Sequence, residues 1–211
     1  MEISGEARQG WVATAAPEQC RGAVEAVPRG RGAAAAAPLE QWRGAVEAAL
    51  PGTPAGAAWA HVASFFSAHR YLPGIDVCER VADGAGTAED DDGHHQLIIP
   101  GCVRHVASRA TGMWAREQLL EADHAARRLR YAVVASNMGF GRYVATLRVL
   151  DGGDRDADGG GCRISWAFEC DALQGEGWSE AALVARLGAS VQGMAERVQR
   201  LVARPVAAVG A

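Results

Sequence analysis

The sequence predicts an α+β fold. A seven-stranded, curved antiparallel sheet should wrap around one long C-terminal helix, with two short helices after the first strand. Three observations point there. Successive runs alternate apolar and polar residues with period two and are separated by turn signals. One terminal segment carries an apolar stripe with steps of three and four. A lone strand-like run and two short helical segments precede the other strands.

The first strand is read in EQWRGAVEAALP, residues 40–51. Trp42, Gly44, Val46, Ala48 and Leu50 share one phase, and Arg43 and Glu47 the other. An imperfect copy, EQCRGAVEAVP, stands at 18–28. It has Cys20 in place of Trp42 and no counterpart of Leu50, so it has less apolar surface to bury. Residues 1–38, rich in Ala and Gly, are therefore expected to be a disordered extension. In that reading the copy is a duplicated tail rather than a competitor for the same edge of the sheet.

Pro54 suits a first helical turn. Ala58, Val62 and Phe65 or Phe66 recur at helical spacing, so 54–66 reads as a helix. SAHRYLPG, 67–74, reads as a helical turn closed by Pro73-Gly74. IDVCERV, 75–81, reads as a strand with Ile75, Val77, Glu79 and Val81 in one phase. The Asp- and His-bearing segment 82–96 reads as a solvated polar loop. Its carboxylates are adjacent and not spaced to converge on a cation.

Alternation is cleaner beyond residue 98. Cys102, Arg104 and Val106 share a phase. So do Ala115, Glu117 and Leu119, then Leu129, Tyr131 and Val133. Tyr143, Ala145, Leu147 and Val149 follow, then Ile164, Trp166, Phe168 and Cys170. MGFG at 138–141 and DGGDRDADGGG at 151–161 are turn signals. Ser179 suits a helix N-cap. Leu183, Leu187, Val191, Met194, Val198 and Leu201 form the stripe of the long helix. The folded domain is thus expected over 39–204, with a flexible tail at 205–211. Such a sheet buries its helix against the concave face, and a cavity between them is the natural ligand site.

Bulk properties narrow the function. The net charge of -4 argues against nucleic-acid binding through bulk electrostatics. No apolar run is long enough to span a membrane, and no secretory leader is evident. The five cysteines form no CxxC pair and read as reduced, mostly buried thiols of a cytoplasmic protein. Neither a metal motif nor a nucleotide-binding loop is present, so no cofactor is expected.

The inward phases beyond residue 98 contain two charged groups, Arg104 and Glu117. A turn near 109–110 would set Arg104 opposite about Ala115, with Glu117 its diagonal neighbour. An internal ion pair is a poor device for stability, because desolvation can exceed the Coulomb gain. The pair therefore points to function. Arg is a fixed donor to an anion or developing oxyanion, and Glu in an apolar pocket can move a proton. Tyr131 and Tyr143 can orient a polar atom. The set suits proton transfer on a small, partly anionic substrate, and equally the binding of a carboxylate ligand.

At these residues the chain resembles lachrymatory factor synthase and its plant relatives. These belong to the superfamily of helix-grip proteins similar to the birch-pollen allergen and to START domains, which includes the abscisic acid receptors. The resemblance runs from about Trp42 to Val202. It is carried by VEAALPGTPAGAAW, LPGIDVCE, PGCVRHV, WAREQL, GFGRYVATLRVL and ISWAFEC. It implies a helix-grip fold and a cofactor-free isomerase that turns an alkenyl sulfenic acid into a thial S-oxide. It also implies that Arg104 grips the substrate oxygen, that Glu117 shuttles the proton, and that Tyr131, Tyr143 and Trp166 line the cavity. Two features depart from the synthase: the segment between Arg104 and Glu117 is shorter, and His105 stands where Tyr is usual. The receptors fit less well. ASRATG replaces their gate, MGFGR their latch, and the chain has no lysine to anchor a ligand. The expected partner is a hydrophobic or amphipathic small molecule, bound either for isomerisation or for carriage without chemistry.

Overall fold

A computed structural model describes residues 40–81, 99–152, 161–174 and 177–203. The expectations for the 1–38 extension and its repeat, the 82–96 loop and the tail from 205 lie outside the described residues.

Seven strands form one antiparallel sheet: β1 (Gln41–Leu50), β2 (Val77–Val81), β3 (Val103–Ala107), β4 (Trp114–Asp123), β5 (Arg128–Ser136), β6 (Tyr143–Asp151) and β7 (Cys162–Asp171). Their order is β1-β7-β6-β5-β4-β3-β2. Strands β2 to β7 are thus sequential neighbours, and β1 closes the far side by pairing with β7. The helices are α1 (Ala55–Val62), α2 (Ala68–Tyr71) and α3 (Glu180–Ala203), with a single 3-10 turn at Phe65–Ser67. This is the helix-grip α+β architecture.

Helix α3 lies on the inner face of the sheet. Ser179 caps it, its Oγ accepting the Ala182 N–H at 3.1 Å. Leu183, Leu187, Val191, Met194 and Val198 are buried, and Leu201 is half-buried at the end of the stripe. The helix packs tightly against β1 at Gly44. A Cβ there would stand 2.8 Å from Phe168 Cε1 and 2.9 Å from Val184 Cγ2, so only glycine lets sheet and helix meet.

Helix α1 is shorter than the 54–66 that periodicity suggests. Ser64 leaves helical geometry (φ -72, ψ 79), and the chain re-forms as the 3-10 turn and α2. The Val62 carbonyl, orphaned by this break, accepts the Tyr71 hydroxyl at 3.3 Å. Leu72 is extended, as a residue before proline must tend to be. In β2 the residues that stand opposite Val106 and Arg104 are Cys78, half-buried, and Arg80, exposed at the sheet edge. They are not the phase of Val77 and Glu79 that hydrophobicity favours. β2 is an edge strand, and its burial contrast is weak.

The inner phases of β3 to β7 are those read from alternation. The β3–β4 register differs. Arg104 stands directly opposite Glu117, while Ala115 faces Val106. The reason is a longer turn: Ser108 N–H bonds the Met113 carbonyl at 2.9 Å, and Gly112 adopts φ 70 inside the loop. The pairing moves by two residues, an even number, so every side chain keeps its face. Two β-bulges bend the sheet beside this point. They leave Val134 of β5 and Leu120 of β4 without a direct partner, and both are exposed.

Of the cysteines, Cys102, Cys162 and Cys170 are buried thiols and Cys78 is half-buried. Cys20 lies outside the described residues. Among the described residues no helix is long and apolar enough to cross a membrane.

Candidate functional site

The inner face carries one charged pair at its β3–β4 end. Arg104 donates Nε–H to Glu117 Oε2 at 2.6 Å and Nη1–H to the Phe65 carbonyl at 2.6 Å. Its guanidinium lies between two rings, 4.1 Å from the Phe65 centroid and 5.2 Å from that of Tyr131. Arg104 is 1% exposed and Glu117 is 8% exposed. The pair does not face an open cavity, as the sequence would suggest. The turn bearing Phe65 and Tyr71 closes over it.

The local sequence explains this closure. The helix break at Ser64 turns the Phe65 carbonyl towards the sheet, where it meets Arg104. The Cys78 thiol reaches the same oxygen at 3.8 Å. Tyr71, 1% exposed, lies against Arg104. Burial disfavours the charge of Arg104, but Glu117 foremost, with Tyr71 and Tyr131, outweighs it and holds the guanidinium protonated. Burial raises the pKa of Tyr71, against the opposing pull of Arg104. Burial also raises Tyr131 well above the phenol value, reinforced by the Glu117 carboxylate.

Tyr143 and Trp166 form a second group on the same face. Tyr143 is two strands from Glu117, with Val133 between them. It stacks on Phe168 with ring centroids 6.2 Å apart and packs against Phe140. Burial first, then Glu117, raises its pKa. Trp166 lies opposite Leu147 and Val46. Its buried indole N–H is near enough to the Tyr143 hydroxyl to favour the phenolate, yet it lacks hydrogen-bond geometry and has no partner. The structure thus gathers Arg104, Glu117 and Tyr131, and places Tyr143 and Trp166 beside them as a separate pair.

Sequence reasoning misses Tyr71, Phe65 and Cys78. Phe65 contributes through its backbone, which no side-chain pattern can reveal. Tyr71 had one available signal. It is one of only three tyrosines, and the other two lie on inward phases.

What the arrangement offers is a permanent cation, a carboxylate and three phenols in apolar surroundings. Among the described residues no cluster of three or more His, Cys, Asp or Glu could hold a metal ion. Two open recesses lie elsewhere. One, of about 360 Å³, is on the outer face by Arg43, Arg130 and Thr146. The other, of about 460 Å³, is by Arg70 and Arg197.

Among solved structures, the protein XoxI from Bacillus cereus has a similar fold. Its TM-score is 0.54 at 15% identity, over 77% of this chain and 94% of that one. At that identity the likeness speaks for the fold alone. The sequence match is broader in meaning, since residues 41–204 fit the family described as polyketide cyclase / dehydrase and lipid transport. Seven strands gripping a long helix, with a polar group set into the inner face, are what that match spans, and this chain belongs to the polyketide cyclase / dehydrase and lipid transport family.

Proposed function

We propose that the chain is a cofactor-free isomerase that moves a proton on a small polar substrate held inside the helix-grip fold. The family implies binding of a hydrophobic small molecule or lipid. The observation that carries the finer reading is the in-register Arg104–Glu117 pair, buried beneath Phe65, Tyr71 and Tyr131. A pair so placed is weak support for stability, while removing one partner leaves a buried charge.

The reaction class is that of the lachrymatory factor synthase the sequence resembles. Glu117 takes the proton from the S–OH group of an alkenyl sulfenic acid. The electron pair moves inward, so C=C becomes C=S, and Glu117 returns the proton to the far alkenyl carbon. The step is an isomerisation, with no net oxidation. Arg104 holds the substrate oxygen as its charge develops. The Phe65–Tyr71 turn must open for the substrate to reach the pair.

A second reading is carriage of a hydrophobic ligand without chemistry. It is favoured by the closure itself, since Arg104 is already satisfied by Glu117 and the Phe65 carbonyl.

The test supplies the purified protein with a cysteine sulfoxide precursor and a C–S lyase, and measures volatile products. Thial S-oxide above the lyase-only control is expected. Its absence would sink the synthase reading. Glu117→Gln is expected to lower the rate by about 10²- to 10⁴-fold with little change in ligand affinity. A carrier would show only a modest change in affinity.

A further inference from the structure

An open groove beside α2 and the last turns of α3 has a volume of about 460 Å³ and is lined by Arg70, Arg197, Arg200, Leu201 and Ala203. Several arginines of the described residues are matched by carboxylates, among them Arg109 by Asp76, Arg127 by Asp151, Arg142 by Glu169 and Arg163 by Glu47. Among the described residues Arg70, Arg197 and Arg200 have no such match, as is also true of Arg43, Arg80, Arg116, Arg130 and Arg148; what sets the three apart is that they line a single groove.

Taken singly, each has an ordinary role. Arg200 stands in the last turn of α3, where a cation complements the helix dipole. Arg197 donates Nη1–H to the Leu72 carbonyl at 2.9 Å and ties α3 to the turn after α2. Arg70 is exposed on α2. Taken together they concentrate positive charge on one recess. The field of Arg70 reaches His61, whose pKa is lowered by burial and then by that charge.

The recess is also large enough for a ligand. Its size falls within the roughly 300–1,000 Å³ of small-molecule sites. The bond to Leu72 uses one of the N–H donors of Arg197 and fixes the direction of the others. Guanidinium forks pair with oxyanions through two parallel hydrogen bonds. A phosphoryl group, with three acceptor oxygens and nearly two charges, matches three guanidiniums better than a carboxylate does. Half-buried Leu201 supplies an apolar wall beside them.

We propose that this groove binds a phosphate-bearing amphipath, with the phosphoryl group on Arg70, Arg197 and Arg200 and the apolar part along Leu201. The site shares no lining residue with the Arg104–Glu117 pair and does not depend on the reaction proposed for it.

The test is calorimetric titration of the full chain with three probes: dodecyl phosphate, inorganic phosphate, and phosphatidylcholine vesicles doped with phosphatidic acid. The variant is Arg70→Gln/Arg200→Gln, which removes two exposed charges and leaves the Arg197–Leu72 bond intact. Saturable binding of dodecyl phosphate, weakened about tenfold or more in the variant and unchanged in Glu117→Gln, supports the site with a free amphipath as its source. Binding of the doped vesicles but not of undoped ones, lost in the same variant, supports it with a bilayer lipid as the source. Three results overturn it: no binding of dodecyl phosphate or doped vesicles at low salt, affinities unchanged in the variant, or inorganic phosphate binding as tightly as dodecyl phosphate.

Discussion

At the scale of single residues, the question is whether Arg104 and Glu117 hold the fold together or serve chemistry. Breaking a buried pair from one side is costly, whereas replacing both members by apolar groups is often neutral. Arg104→Met is therefore expected to destabilise the protein by about 3–5 kcal/mol in urea denaturation, because Glu117 loses its counter-charge. Arg104→Met/Glu117→Leu is expected to return to within about 1 kcal/mol of the parent, while giving no product. A double variant as unstable as the single one would show that the pair is a structural anchor. The pair itself is legible in the sequence, because period-two alternation puts both residues on inward phases. Their exact opposition is not, because it depends on a turn whose length is set by Gly112 at positive φ and the Ser108–Met113 bond. Tyr71 is not legible either. Its position follows from a helix break at Ser64 that hydrophobic spacing runs straight through.

At the scale of elements, α3 and the structures that touch it decide how tightly the sheet is gripped. The stripe of α3 and its Ser179 cap are readable, since a 24-residue helix repeats its signal many times. The phase of β2 is not, because a five-residue edge strand gives too few positions and little contrast in burial. Two glycines in α3 separate propensity from packing. At Gly188 the nearest neighbour of an added Cβ is Val46 Cγ1 at 3.9 Å, which is ordinary contact. Gly188→Ala should then gain most of the helix propensity difference, about 0.8–1 kcal/mol. At Gly193 the same atom would stand 2.6 Å from the Pro73 ring, which cannot rotate away. There the overpacking cost of about 1–3 kcal/mol exceeds the gain, so Gly193→Ala should destabilise. Thermal denaturation of the two variants decides it, and equal stabilisation by both would show that the α3–Pro73 contact has slack.

At the scale of the whole molecule, the tyrosines provide a test of how completely the interior is sealed. The chain has three, Tyr71, Tyr131 and Tyr143, and all are buried in the core that sheet and helix enclose. Burial is the leading cause that raises the pKa of each above the ordinary phenol value of 10.0. The folded chain therefore keeps protons that the unfolded chain releases once the pH passes 10.0. The stability this contributes is fully present below that pH. It is lost as the pH rises above it towards the folded values. No tyrosine is left on the surface to titrate independently. Phenolate absorbance should then stay flat through pH 10.0 and rise only together with the loss of far-ultraviolet circular dichroism. If a phenolate signal appears near that pH while the dichroism is unchanged, at least one tyrosine is in contact with water. The interior around Arg104 would then be open in solution, and the Phe65–Tyr71 turn would already admit a ligand without having to move.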